Sequence, residues 1–588
     1  MKLKRLVAAL LAAVLMMTML TGCAPMLIWG TLGGLLYEKE KMQETTSSPF
    51  PEEGETEERD TADTTRKSTA QVGYFPDDVF RGNEDFSDIT YEHYDLTKLD
   101  KLLDQVTEMA SSGGTRDDFT KLDNQIYGEL TYIYTLDTVI DLQYSDDPTD
   151  KSVSQECLYT DDLCTQANGK YWTAMSAMAL SDNSDLMGDS YADWQIDKFR
   201  NAPDASDGED ALFSQESKLE QKYYSLMAAD PVNYDSVLDD YVELVKVRQQ
   251  IAAAEGADSY ADYAYSKFAR NYTPADAQTI WDVAKNYFVP LMQEYGYNAS
   301  VQVSGLYDAA DIDCSEQTIL DSMAKAIPQI SDEAYEAFSF MRTHGLYDIG
   351  SSAAKMDTGF TTTLYYYNEP FIFNAAKNNF TDYTDMFHEF GHYLNAYYTV
   401  SDPIFGVSDN DLAELQSQGM EILFIKYYGD IFGKQHANDV SVYTLMNMIY
   451  SVIDGAMYDE FQQEVFAEQD LTADKVQEIF KQVYAEYGYQ TYDGYENSWM
   501  DVEHNFSYPL YYISYSVSAI SALELFSIAK DSSYDEAKDK YLRAAAMDGE
   551  MYCFSDALEE AGLSDVFDPA TSQHVTDSVA AFLAQAVS

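Results

Sequence analysis

The spacing of apolar residues predicts helices over most of the chain. Beyond residue 74, apolar positions recur every three or four residues, and the clearest runs span residues 118–142, 216–226 and 234–254. This spacing places the apolar side chains on one face of a helix. Pro203 and the acidic residues that follow it interrupt the pattern. No segment repeats at the fixed interval of a solenoid. We therefore expect a mainly α-helical fold.

One segment has the composition of β-strands. Residues 360–374 read FTTTLYYYNEPFIFN and are rich in Thr, Tyr, Phe and Ile, which favour extended structure. They come shortly before the segment with the most distinctive chemistry. A small β-sheet at this point would border a cleft and pair with an extended peptide through main-chain hydrogen bonds. The alternative is an ordinary buried hairpin.

The chemically distinctive segment is HEFGH, residues 388–392. Thr381 or Asp382 can cap a helix here, and the apolar residues around the motif recur at helical spacing: Phe387, Phe390, Leu394 and Tyr397. His388 and His392 then project from the same face and can hold one zinc ion. Glu389 lies next to the first ligand, where zinc hydrolases carry their general base. The motif predicts metal-assisted hydrolysis.

A catalytic zinc ion needs a third protein ligand and an open position for water. Glu414, which follows His392 in the chain, is the candidate. The interval between them contains Pro403 and Gly406, so the chain can reverse its direction there. The sequence therefore predicts a second helix that returns past the first and brings Glu414 to the metal.

This second helix would begin near residue 410. Asn410 or Asp411 can cap it. Glu414 and Glu421 are seven residues, or two turns, apart and lie roughly on one face. Because a ligand histidine usually donates its other N–H group to an acceptor behind it, we expect Glu421 to orient one of the two histidines.

Composition excludes several other classes of protein. The 588 residues are 46% hydrophobic and include 49 tyrosines, which is the composition of a large globular protein. The chain has 36 basic and 101 acidic residues, a formal charge of −65. Nucleic acid is therefore excluded as a partner, because phosphate binding requires basic patches. The excess of negative charge is typical of a solvated surface and could also steer cationic peptides.

The N-terminus has the pattern of a bacterial lipoprotein. Residues 1–22 combine a basic start with an apolar run and form a signal peptide, and Leu-Thr-Gly precedes Cys23, the expected site of lipidation. Residues 23–75 are polar over most of their length and form a lipid-anchored disordered linker. We expect a body outside the cytoplasm, anchored to the bacterial cell membrane. An uncleaved anchor that includes the apolar residues 26–36 is the alternative.

The motifs resemble the thimet oligopeptidase and oligoendopeptidase F family of zinc peptidases. The resemblance rests on HEFGH and on AELQSQGME, residues 413–421, and it covers the chain from about residue 211 to the C-terminus. Further segments agree with the oligoendopeptidase F branch: residues 244–252, 259–265, 271–276 and 368–374. The resemblance implies a helical zincin fold with a deep substrate channel, an N-terminal helical region at 76–205 and a catalytic domain at 206–588.

The resemblance also implies roles for a histidine and tyrosine cluster near residue 510. Tyr512 and Tyr515 would donate hydrogen bonds to the oxyanion, and His504 would contact the substrate or the developing charge. Tyr508 and Tyr511 are the alternatives for the oxyanion and would otherwise bind substrate.

The resemblance further places residues 368–374 at the substrate-edge strand, where Asn374 would contact the peptide. Together these observations predict an endopeptidase with one Zn²⁺ per chain, held by His388, His392 and Glu414, with Glu389 as the base. Its substrates would be short, unstructured oligopeptides. The alternatives are a non-catalytic peptide-binding surface lipoprotein and a zinc hydrolase of another family with a glutamate ligand.

Overall fold

The structure, a computed structural model, describes residues 74–76, 79–201, 207–227, 229 and 231–587. The predicted signal peptide, Cys23 and nearly all of the predicted linker lie outside these residues. Within them the chain is mainly helical with one small sheet, as predicted. None of the described helices combines the length and the apolar character that a membrane crossing requires.

The helices and strands are numbered in chain order. The helices are α1 (Thr97–Ser112), α2 (Arg116–Asp146), α3 (Lys151–Ala179), α4 (Asp193–Arg200), α5 (Asp207–Met227), α6 (Tyr234–Ala254), α7 (Tyr260–Lys267), α8 (Ala277–Val283), α9 (Val289–Val303), α10 (Glu316–Ala326), α11 (Asp332–His344), α12 (Thr381–Tyr398), α13 (Asn410–Phe424), α14 (Tyr428–Ile431), α15 (Ala437–Ala467), α16 (Ala473–Glu486), α17 (His504–Ser507), α18 (Ile513–Asp531), α19 (Tyr534–Ala545), α20 (Phe554–Ala561) and α21 (Pro569–Ala586). The strands are β1 (Tyr347–Asp348), β2 (Gly359–Leu364) and β3 (Glu369–Asn374).

The first four helices enclose a hydrophobic core of their own. Each contributes a fully buried side chain: Leu99, Phe119, Met175 and Phe199. The C-terminal part of α2 and the later helices share a second, larger core. Phe75, which we placed at the end of the linker, is buried in this larger core, where its ring lies 4.6 Å from that of Tyr398.

The strand order in the sheet is β1-β3-β2, with β1 parallel and β2 antiparallel to β3. All six residues of β3 are buried, and Ile372 and Phe373 are paired on both sides. A strand that is paired on both sides cannot add a peptide. The expectation that residues 368–374 form the substrate edge is therefore wrong. The edge strand beside the HEFGH helix is β2.

The caps of α12 and α13 differ in detail from the prediction. α12 begins at Thr381, and the Asp382 carboxylate accepts hydrogen bonds from the backbone N–H groups of the preceding loop. Asp409 caps α13 through the N–H of Leu412 at 3.1 Å. We expected Asn410 or Asp411 in that role, but both lie inside the first turn of the helix.

α12 and α13 touch at Gly391. A Cβ atom at this position would lie 2.4 Å from the carbonyl oxygen of Gln416 and 2.5 Å from the Cα atom of Ser417. No side chain fits into such a gap, so only glycine allows the two backbones to come this close. The contact brings the first turns of α13 beside the two histidines of α12.

Gly391→Ala is expected to lower the melting temperature and the metal content of the protein. The methyl group must push the helices apart, at a cost of about 1–3 kcal/mol for overpacking, and it separates groups on the two helices. Calorimetry and metal analysis of the purified protein measure both effects. Gly128→Ala in α2 is the control, because no atom outside its own turn lies within 4 Å of the added methyl group. A Gly391→Ala protein with unchanged stability and metal content would contradict the expectation.

Candidate metal centre

His388 and His392 face Glu414 across the contact between α12 and α13. Oε2 of Glu414 lies 3.6 Å from Nε2 of His388 and 4.0 Å from Nε2 of His392. The ligand atoms of the three residues all lie within 4.8 Å of one another. Zinc bonds of about 2.0–2.2 Å in tetrahedral geometry put ligand atoms about 3.3–3.6 Å apart. The three predicted ligands therefore form one group that could hold a metal ion.

Two hydrogen bonds orient the ligand atoms. Nδ1 of His388 lies 2.8 Å from Oε1 of Glu421, as the spacing of the two glutamates predicts. With Nδ1 as the donor, Nε2 presents its lone pair to the metal position. The hydroxyl of Tyr511 donates to Oε1 of Glu414 at 2.6 Å and leaves Oε2 to face the histidines. We expected Tyr511 to contact substrate, but its hydroxyl instead binds a ligand carboxylate.

The electrostatic environment distinguishes the two histidines. Burial opposes the charged form of His388, but the hydrogen bond to Glu421 and the carboxylates of Glu421, Glu414 and Glu389 outweigh it and raise its pKa to about 9. Burial, and then the charge of His388, hold the pKa of His392 well below its usual range. Burial raises the pKa of Glu414 to about 7. Metal binding must therefore displace the proton of His388.

Glu389 is buried beside the ligand group, with 2% of its surface exposed. The hydroxyl of Thr361 in β2 lies 2.8 Å from its Oε2 and 3.1 Å from its main-chain oxygen. On the other side of the carboxylate, a Cβ atom at Gly359 would lie 3.6 Å from Oε1. The edge strand thus fixes the carboxylate and, because it has glycine at this point, leaves space next to it.

A cavity of about 80 Å³ lies against the ligand group. Its walls include His388 and Glu389 from α12, Asn374 at the end of β3, and Tyr512 and Tyr515 near the start of α18. Asn374 therefore lies where a molecule in the cavity would contact it, although its strand is not the edge of the sheet. Of the three predicted ligands, His388 lines this cavity, together with Glu389 and the tyrosines.

The predicted cluster around His504 is assembled. The imidazole is buried, and its centroid lies 5.1 Å from the ring of Tyr512, 6.1 Å from that of Tyr515, 5.5 Å from that of Tyr511 and 6.0 Å from that of Tyr508. Of these five residues, only Tyr512 and Tyr515 line the cavity. Tyr443 of α15 also lines the cavity, so Tyr512 and Tyr515 are the members of the His504 cluster with access to a bound molecule.

Solved peptidase structures share this architecture. The structure titled PZ peptidase A with inhibitor 2 matches with a TM-score of 0.65 and 18% identity, over 85% of this chain and 99% of the other. An oligoendopeptidase F structure matches with a TM-score of 0.67 and 18% identity, over 85% and 99%. A structure of the same description from Bacillus anthracis strain Ames matches with a TM-score of 0.63 and 18% identity, over 86% of this chain and 99% of the other. The chain has the oligoendopeptidase F fold. No protein-family model and no curated protein matches the sequence.

Within the oligoendopeptidase F fold, Arg270 connects the metal centre to the tyrosine segment. This residue is buried, and its guanidinium lies 3.3 Å from Oδ1 of Asp411 in the first turn of α13. It also donates to the carbonyl oxygens of Leu510 and Tyr511 and to the hydroxyl of Ser514, at 2.8, 3.1 and 2.8 Å. Sequence reasoning missed this residue. The only feature of the sequence that could have identified it is its position directly before residues 271–276, which resemble the oligoendopeptidase F branch.

Arg248 has a similar role on the other side of the cluster. Its guanidinium pairs with Glu216 and Glu220 of α5, each at 2.6 Å. It also donates to the carbonyl oxygen of Phe506 in α17, the short helix that carries His504. The resemblance of residues 244–252 to oligoendopeptidase F thus includes a buried arginine that holds α17 against the body.

Tyr511→Phe is expected to weaken metal binding by about 10–100-fold, because it removes the hydrogen bond that orients Glu414. The dissociation constant is measured by competition between the protein and a chromogenic zinc chelator. Tyr508→Phe, three residues earlier in the same segment, serves as the matched control and should keep the affinity of the unmodified protein. Equal zinc affinities of the two variants would contradict the inference that Tyr511 orients Glu414 for metal binding.

Proposed function

We propose that the protein is a zinc-dependent endopeptidase that hydrolyses short, unstructured oligopeptides. The observation that carries this proposal is the convergence of His388, His392 and Glu414 on one point, with the buried carboxylate of Glu389 next to it and a cavity in front. The oligoendopeptidase F fold supports the same activity, since the neighbouring structures are described as peptidases.

The donor set fits zinc. Two imidazole nitrogens and one carboxylate oxygen are the ligands of many catalytic zinc sites, which keep a further position open. The cavity that His388 lines would supply that open side. A zinc ion held by His388, His392 and Glu414 would supply a Lewis acid that polarises the scissile carbonyl and acidifies the attacking water.

Glu389 acts as the general base in this proposal. It accepts a proton from the attacking water and delivers it to the leaving amine when the carbon–nitrogen bond breaks. The hydrogen bond from Thr361 holds Oε2, so the carboxylate is fixed in position before the substrate arrives. We assign the proton transfer to Oε1, the other oxygen of this carboxylate.

The oxyanion receives its hydrogen bond from Tyr512 or Tyr515. Both line the cavity with Glu389, whereas the hydroxyl of Tyr511 is engaged by Glu414. Hydroxyl groups that point at developing negative charge in a site shielded from water stabilise the transition state. Tyr511 therefore acts on the metal ligand in this scheme, and one of its neighbours acts on the substrate.

The shape of the site favours extended substrates. The cavity is lined by residues of α12, α13, α15, the Gly359 end of β2 and the start of α18, and an extended peptide bound there would contact several of these elements at once. The Gly359 end of the edge strand β2 borders it and can add an extended peptide by main-chain hydrogen bonds. The N-terminal sequence supports a location outside the cytoplasm, where lipidation of Cys23 would anchor the protein to the membrane.

Glu389→Gln is expected to keep zinc and to lower kcat by about 10²–10⁴-fold, the usual contribution of a general base. A library of quenched fluorescent peptides, assayed with and without a chelator, measures the activity, and metal analysis measures zinc. Glu478→Gln on the exposed face of α16 is the control and should leave both unchanged. A Glu389→Gln protein with full activity would exclude the proposed mechanism. A native protein that binds no zinc and cleaves no peptide would favour a peptide-binding lipoprotein.

Tyr512→Phe and Tyr515→Phe are expected to separate the two candidates for the oxyanion donor. The variant that lacks the donor should lose about 10²–10³-fold in kcat with little change in KM, as when an oxyanion hydrogen bond is removed elsewhere. The other variant should change mainly KM, and both should retain zinc. Steady-state kinetics on one cleaved peptide decides between them. Unchanged kcat in both variants would exclude Tyr512 and Tyr515 from this role.

A further inference from the structure

A second group of potential metal ligands lies in the N-terminal helices. Asp137 and Asp141 are one turn apart on α2, and Asp161 faces them from α3. One carboxylate oxygen from each of the three lies within 4.8 Å of the others. The group belongs to no part of the proposed peptidase site, whose residues lie on α12, α13 and the segment around residue 510.

One residue of this group is buried and has a carboxylate oxygen that is not satisfied. Asp137 is 2% exposed, and its Oδ1 atom makes no hydrogen bond. An unsatisfied carboxylate oxygen inside a protein is costly, because it has lost its hydration. The ion pairs formed by the described residues include none of the three aspartates. In the part of the chain that the structure describes, the three carboxylates therefore meet without a Lys, Arg or His side chain in ion-pair contact with them.

We propose that Asp137, Asp141 and Asp161 bind a calcium ion. Calcium takes six to eight oxygen ligands at about 2.3–2.6 Å, a geometry that oxygens up to about 5 Å apart can satisfy. Asp141 and Asp161 are partly exposed, so water from the solvent side completes the coordination. The Sγ atom of Cys157 lies 3.0 Å from Oδ1 of Asp141 and donates to it, so this sulfur is a protonated hydrogen-bond donor. Oxygen ligands of this kind favour a hard cation over zinc.

The ion would join the two longest helices of the N-terminal region. α2 is in turn bonded to the segment that forms one wall of the peptidase cavity. The hydroxyl of Thr138 donates to the carbonyl oxygen of Thr363 in β2 at 3.2 Å, and the hydroxyl of Thr135 accepts from the N–H of Tyr366 at 2.8 Å. Calcium would therefore stabilise the contact between α2 and α3 and, through α2, the position of the edge strand β2.

Calorimetric titration of the full-length, zinc-loaded protein with calcium chloride tests the proposal. We expect one saturable calcium site per chain and a melting temperature that rises with calcium concentration, since an ion that binds only the folded state stabilises it. Magnesium chloride at the same concentration corrects for ionic strength. Asp137→Asn and Asp161→Asn should each weaken calcium binding at least tenfold. Asp162→Asn is the matched control, because it removes the same charge one residue away on the exposed side of α3.

Several results would overturn the proposal. These are the absence of saturable calcium binding, equal binding by the aspartate variants and the native protein, and occupation of the group by a second zinc ion. If the buried Asp137→Asn protein does not fold, as judged by circular dichroism, the partly exposed Asp161→Asn decides. A further result also excludes the calcium site. If calcium does not stabilise the native protein and the aspartate variants are more stable than it without calcium, the three carboxyl groups share protons instead.

Discussion

The direct contact of two backbones at Gly391 determines where the rest of the metal centre can be. At this point α12 and α13 are separated by less than the width of a methyl group. Two histidines on one helix bind a metal only weakly, so a third ligand must come from another helix. Because residue 391 has no side chain, the backbones of α12 and α13 are in contact, and this contact fixes the position of Glu414 relative to the two histidines. Glu414, Ser417 and Glu421 then face the histidines without any loop between them.

The same contact concentrates negative charge where a cation is to be held. Glu389, Glu414 and Glu421 are all buried close to His388. Without metal, a proton on His388 partly compensates their charge, which is why the pKa of that imidazole rises although burial opposes it. Hydrogen bonds from Thr361 and Tyr511 orient the carboxylates of Glu389 and Glu414, respectively. The candidate centre thus has a geometry and charge that suit a divalent ion, and folding supplies the energy that holds the charges together.

The sequence predicted the parts of the site that depend on local spacing. The geometry of an α-helix alone places two histidines four residues apart, or two glutamates seven residues apart, on one face. The residues that could therefore be assigned before the fold was known are His388, His392, Glu414 and Glu421. The sequence also predicted a mainly helical fold with a small sheet. It did not predict which strand is at the edge, because strand order depends on contacts between segments that are not adjacent. The partners of Tyr511 and Arg270 were missed for the same reason: their contacts span long stretches of the chain.

Arg270 has a consequence for how the molecule reaches its working state. Its contacts with Asp411 and with Leu510 span 141 and 240 residues of sequence. Before these segments dock, the guanidinium is hydrated. Burying it without its partners would destabilise the structure by about 3–5 kcal/mol. The arrangement around Arg270 therefore requires three segments that lie far apart in the sequence. A molecule that ends before residue 510 would contain the HEFGH segment but would lack the carbonyl and hydroxyl groups to which Arg270 donates.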